Sequence, residues 1–270
     1  MSGLSNVILK TTNNDIIKGS ASDELIDGGG GNDTLTGSNG SVENAEEKQR
    51  TANDSDENTN DNLYGQAGDD VLIGTIGDNI LDGGTGADTI YSGSGSDTIV
   101  LRSGDGGSTL AAADTIADFT DGTDVLGLDD GLQYTDLTIA QGTGSNSSNT
   151  IISAGSEYLA ILQGVNASNI NYSDFASMAT GNQSFTGTTG DDVFIGAAGV
   201  DTVTTNIGTD IVLTSSGNDA ITIDGVGNKT IDGGSGTDSL TISVSGISSL
   251  GAVSYTHLRA HETRGNLVCR

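Results

Sequence analysis

Large aliphatic or aromatic residues recur every nine positions along two stretches of the chain, each between short polar neighbours. The first stretch carries Ile17, Ile26, Leu35, Leu63, Leu72, Leu81, Ile90 and Ile99. The second carries Phe194, Val203, Val212, Ile221, Ile231 and Leu240, with one extra residue before the last two. Between them, from Leu101 to Ser184, the nine-residue period gives way to longer apolar alternations: Asp114–Phe119, Asp124–Leu128, Asp136–Ile139, Thr150–Ile152 and Tyr158–Leu162. Alternation of this length, bounded by Gly, Asn and Ser, predicts strands joined by turns. A short helical turn is expected at Asn171–Phe175.

The polar positions repeat as strictly as the apolar ones. Gly28–Thr36 and Gly83–Tyr91 both read Gly-Gly-x-Gly-x-Asp-x-U-x, where U is the large apolar residue. Units starting at Lys10, Gly19, Gly28, Gly37, Gly65, Gly74, Gly83 and Ser92 place Asp15, Glu24, Asp33, Asp61, Asp70, Asn79, Asp88 and Asp97 at the sixth position. The unit at Gly37 is interrupted by residues 41–59, an acidic segment without aromatics that is expected to be a disordered, solvated loop extruded from one turn. Units starting at Gly187, Gly196, Thr205, Thr214, Asp224 and Gly233 give Asp192, Asp201, Asp210, Asp219, Lys229 and Asp238. An ammonium at Lys229, where a carboxylate is expected, should weaken or abolish a cation site there.

This nonapeptide resembles the hemolysin-type, or RTX, calcium-binding repeat of secreted bacterial proteins. The resemblance implies an all-β fold, a parallel β-roll in which Gly-Gly-x-Gly-x-Asp forms a turn and x-U-x a short strand, two nonapeptides completing one coil. The expected organisation is a first roll over residues 1–100, a β-rich capping segment over 101–186 and a second roll over 187–252. Alternation along each strand turns U inward, leaving a thin aliphatic core. Coils about 4.8 Å apart stack the sixth-position carboxylates of alternate repeats on one edge. Like charges that close repel, and a hard divalent ion with an all-oxygen shell reverses that energy, which suits Ca²⁺. The expected ligands are Asp15, Asp33, Asp61, Asp70, Asn79, Asp88, Asp97, Asp192, Asp201, Asp210, Asp219 and Asp238. Successive coils would share ions through pairs such as Asp70 with Asp88 and Asp201 with Asp219. The segment from Asp114 to Leu128 is similar to the segment that closes such rolls, where Asp118 and Asp124 are either further ligands or turn and edge residues.

Composition fits a chain that needs help to fold. Of 270 residues 42 are Gly and none is Pro or Trp; Leu, Ile, Val and Phe make up only about a fifth, close to the range of chains that cannot fold on their core alone. A net charge of −28 argues against binding nucleic acid through its phosphates. No transmembrane span and no cleavable leader are expected. The chain has no His-Glu-x-x-His and no Gly-x-Ser-x-Gly, and no enzymatic activity is expected of it. The two histidines, His257 and His261, lie in Val253–Arg270, which resembles a translated sequencing adapter and is set aside as non-native. What the family resemblance implies is extracellular localisation after type I secretion, with the repeats folding on calcium outside the cell. Alternatives are a non-catalytic appendage of a larger secreted hydrolase and the spacer of a surface adhesin.

Overall fold

A computed structural model describes residues 6–9, 13–14, 16–18, 24–28, 33–36, 60–243 and 253–256. Asp15, the acidic insertion at 41–59 and the chain beyond residue 256 lie outside the described residues. The described chain is nearly all β, and its sheets are mostly parallel. It divides into two compact units, the first ending at Phe175 and the second taking up the chain from Ala176, apart from a three-residue exchange at 133–135.

In the first unit, strands alternate between two sheets. One sheet runs Asn6–Leu9, Glu24–Asp27, Asn62–Ala67, Ile80–Thr85, Thr98–Leu101 and Val125–Leu128. The other runs Ile16–Lys18, Thr34–Thr36, Val71–Ile73, Thr89–Tyr91, Asp114–Ile116 and Glu157–Leu162, then turns antiparallel through Thr150–Ala154 and Leu137–Gln141. This is a parallel β-roll: each nonapeptide contributes one strand, and alternate nonapeptides share a sheet.

Register follows the apolar residues. Ile17 pairs with Leu35, Leu35 with Leu72, Leu72 with Ile90, Ile90 with Ile116 and Ile116 with Leu162. On the facing sheet Ile26, Leu63, Leu81, Ile99 and Leu126 form the corresponding column. From Leu35 to Leu162 and from Ile26 to Leu126 these side chains are all fully buried. A one-residue slip would expose a whole column, so the apolar pattern fixes the pairing. Across the insertion the partners lie 37 residues apart where elsewhere they lie 18 apart, so the chain rejoins the coil in unchanged register.

The ladders do not stop at residue 100. Asp114–Ile116 and Val125–Leu128 add a further strand to each sheet, and the antiparallel strands that follow cover the end of one of them. A solenoid end exposes core and unpaired strand edge, and such strands shield both. The expected turn at Asn171–Phe175 is a 3-10 turn at Tyr172–Asp174, closed by reciprocal hydrogen bonds between Asn171 and Asp174.

The second unit repeats the plan. One sheet carries Ser184–Thr186, Thr202–Thr205, Ala220–Ile223 and Ser239–Ile242; the other carries Val193–Ile195, Asp210–Leu213 and Lys229–Asp232, beside which Val253–Thr256 of the adapter-like tail pairs. Its core holds Phe194, Val203, Val212, Ile221, Ile223 and Ile231, with the Phe185 and Phe194 rings stacked at 5.2 Å. The extra residue falls at Asp224, where Thr205 pairs with Ile223 but Asp210 pairs with Lys229.

Candidate metal centre

The sixth-position side chains point into the turns and are buried: Asp33, Asp61, Asp70, Asn79, Asp88, Asp97, Asp192, Asp201, Asp210, Asp219 and Asp238 are all under a tenth exposed. Each lies over its counterpart one coil away. The backbone N–H of Asp70 donates to Asp88 Oδ1 at 2.8 Å, that of Asp61 to Asn79 Oδ1 at 2.8 Å and that of Asn79 to Asp97 Oδ1 at 2.8 Å. Asp33 N–H donates to Asp70 Oδ1 in the same way. In the second unit Asp192 N–H donates to Asp210 at 3.1 Å, Asp201 N–H to Asp219 at 2.8 Å and Asp219 N–H to Asp238 at 3.0 Å. The expected pairs among the described residues are thus neighbours in the structure.

One carboxylate oxygen caps the neighbouring coil; the other is the chemically notable atom. Oδ2 of Asp70, Asp88, Asp97, Asp219 and Asp238 is buried without a hydrogen-bond partner. Burying a charged acceptor unpaired costs several kcal/mol, by an order-of-magnitude estimate. Burial accordingly pushes Asp70 up to about 6 and Asp88 and Asp97 up to about 7, with neighbouring carboxylates adding to the shift. Such oxygens call for a cation. Asp192 and Asp201 differ, since their Oδ2 atoms accept from Thr188 N–H at 2.7 Å and Ala197 N–H at 3.0 Å in their own turns.

Carbonyls complete the oxygen supply. A Cβ on Gly86 would collide with the Gly68 carbonyl one coil below, and one on Gly217 with the Gly199 carbonyl. Fourth-position carbonyls are therefore stacked along the turns. Gly86 also has φ 144°, a conformation that penalises any side chain. At the first position, a Cβ on Gly83 would collide with Asp88 Oδ2. Both glycines keep the oxygen cradle open. Among the described residues no three His, Cys, Asp or Glu side chains converge as a metal site, so an ion here must draw on the carbonyls as well. The donor set is all oxygen and fits Ca²⁺.

Two further features stand beside these pairs: a continuation of both ladders through Asp114, which is not among the expected ligands, and Asp124, expected as a ligand or a turn residue, and a second ladder of opposite direction. Asp88 N–H donates to Asp114 Oδ1 at 2.9 Å and Asp97 N–H to Asp124 Oδ1 at 3.2 Å, so both carboxylate ladders extend one coil past the repeats. Burial and the Asp88 charge push Asp114 up to about 9. Asp124 Oδ2 accepts from Thr120 N–H at 2.8 Å, and Asp118 accepts from Ser92 N–H at 2.8 Å; these bonds seat the closing loop on the last turn. The second feature is a reverse ladder at the fifth position. Asn60, Asp69, Asp78, Asp191 and Asn218 accept from the backbone N–H of Asp78, Ala87, Ser96, Thr209 and Thr237 on the following coil. The doublets Asn60-Asp61, Asp69-Asp70, Asp78-Asn79, Asp191-Asp192 and Asn218-Asp219 were its visible trace.

Apart from the turns, Arg102 bridges Asp82, Asp105 and Asp129 at the edge of the first unit. Burial still pushes Asp105 up to about 7, against the pull of Arg102.

The family model for the RTX calcium-binding nonapeptide repeat matches residues 11–41, 57–88, 73–107 and 180–221. The chain carries RTX calcium-binding repeats. RTX nonapeptides bind Ca²⁺, and the matched segments contain most of the stacked aspartates described above. Among solved structures, the chain is similar to the solution structure of the AlgE6R3 subunit from the Azotobacter vinelandii mannuronan C5-epimerase, at 20% identity over 65% of this chain and 85% of that one, with a TM-score of 0.33. No curated protein sequence matches. No helix among the described residues is long and apolar enough to cross a membrane.

Proposed function

We propose that this chain is a calcium-responsive folding module in which Ca²⁺ ions, held between successive turns by the sixth-position carboxylates and by turn carbonyls, close the two rolls. The observation that carries this reading is the row of buried, unpartnered Oδ2 atoms at Asp70, Asp88, Asp97, Asp219 and Asp238. Without a cation, each is a buried charge facing another. With one, the same oxygens become ligands, and the binding free energy becomes folding free energy. Asp33, Asp61, Asn79, Asp192, Asp201 and, outside the described residues, Asp15 are the remaining proposed contributors. Asp114 and Asp124 extend the set.

The role that suits such a module is in a secreted bacterial protein, kept open where calcium is scarce and closed where it is plentiful. Export as an unfolded chain by type I machinery is compatible with that sequence of events. Calorimetric titration of the chelated chain with Ca²⁺ tests the reading. Several ions should bind cooperatively, with heat from folding superposed on heat from binding; a chain that takes up no Ca²⁺ at millimolar concentration would overturn it.

A further inference from the structure

One turn of the second roll departs from the others in its cation. Lys229 occupies a sixth position, its side chain is 0% exposed and its Nζ lies 2.7 Å from Asp210 Oδ2. The same Nζ donates to the Asn206 carbonyl at 2.8 Å and to the Gly208 carbonyl at 2.8 Å. Two carbonyls thus accept N–H groups of the ammonium, and the carboxylate pairs with its charge. Those oxygens are the second-position carbonyl, the fourth-position carbonyl and the sixth-position carboxylate of a single turn. The corresponding positions elsewhere are Gly84, Gly86 and Asp88, or Ser215, Gly217 and Asp219, where Oδ2 of the aspartate is unpartnered.

We propose that Lys229 is a tethered cation that fills the ion site of the Thr205–Asp210 turn, so that this step of the second roll closes without calcium. The proposal deepens the calcium reading of the other turns and rests on it. A charge buried alone would be expensive, but this one meets a buried carboxylate and two carbonyls at hydrogen-bonding distance. Its backbone surroundings have adapted too. Asp210 N–H, which an aspartate at 229 would be placed to cap, donates instead to the Asn228 carbonyl at 2.9 Å, next to the register step at Asp224. Being covalently attached and singly charged, the lysine neither leaves when calcium falls nor competes for it. The coils it joins are the built-in starting point from which the second roll closes as calcium rises.

The test counts calcium ions bound to the full chain at saturating Ca²⁺ by native mass spectrometry. Lys229→Asp restores the repeat pattern and should bind one ion more than the unaltered chain. Equal, non-zero counts would overturn the proposal while leaving the calcium reading intact. An unaltered chain that binds no calcium would overturn the reading beneath it. A measurement on the unaltered chain guards against a variant that fails to fold: hydrogen exchange in chelator. Amides of 206–213 and 228–232 should exchange about tenfold more slowly than those of 197–205 and 216–223, because only the former are held by a cation that chelator cannot remove. Uniform exchange across these segments would refute the tethered cation.

Discussion

Replacing Asp88 by Asn separates a carboxylate that holds an ion from one that only caps a turn. The amide keeps the oxygen that receives Asp70 N–H and replaces the unpartnered, buried Oδ2 by an NH₂ group. Asn79 shows that such a group can be accommodated, its Nδ2 donating to the Gly77 carbonyl at 3.1 Å. Burial holds Asp88 at about 7 against an ordinary 3.8. At roughly 1.4 kcal/mol per unit, ionising it inside the ion-free fold costs on the order of 4 kcal/mol at pH 8, and about half of that once relaxation and water entry are allowed for. Asp88→Asn should therefore help the fold in chelator and harm it in calcium. In EDTA, the pH at which β signal appears in circular dichroism should move upward. In a Ca²⁺ titration at pH 8, the folding midpoint should move to at least about tenfold higher calcium, since the turns above and below Asp88 each lose an anionic ligand. Shifts that make folding harder under both conditions would mean that Asp88 is a cap and not a ligand.

Three further outcomes follow from the same geometry. Asp88→Ala should weaken calcium binding more than Asn79→Ala, as read by calorimetry, because only Asp88 brings a charge; equal effects would undermine the register of the carboxylate ladders. Asp70, Asp88 and Asp97 have folded-state values near 6 to 7, raised above about 3.8, so ion-free stability is whole below pH 4 and is lost as pH climbs through 6 and 7. In EDTA, β signal should thus grow as pH falls from 8 to 5, and a flat or falling signal would contradict the burial argument. Asp114→Asn, outside the repeats, should lower the number of ions bound at saturation by native mass spectrometry; an unchanged count would confine the sites to the nonapeptides.

Much of this fold was legible because nine residues per strand and turn, with two per coil, bring every eighteenth residue into register. Leu72 over Ile90 and Asp70 over Asp88 follow from that spacing together with the two repeats per coil that the family resemblance implies. The period also survives the insertion before Asn60, since the roll resumes with the same face inward. What it could not show lies where the spacing changes. Asp88 meets Asp114 across 26 residues and Asp97 meets Asp124 across 27, because loops of irregular length intervene; Asp124 was a candidate from its segment, but its partner, and Asp114 altogether, needed coordinates. Lys229 was legible as a missing carboxylate. That it brings its own cation depends on where four methylenes carry Nζ, and only the structure places that atom among Asp210, Asn206 and Gly208. The fifth-position ladder was written in the Asx doublets, but that the two side chains of a doublet cap opposite neighbouring coils is read from the hydrogen bonds.

The central claim is that closing the rolls and binding calcium are one event. Far-ultraviolet circular dichroism of the chain at pH 8, in EDTA and then through millimolar Ca²⁺, tests it most directly. The spectrum should be largely unordered in chelator and convert cooperatively and reversibly to β as calcium rises. A β spectrum already complete in chelator and unchanged by millimolar calcium would contradict it.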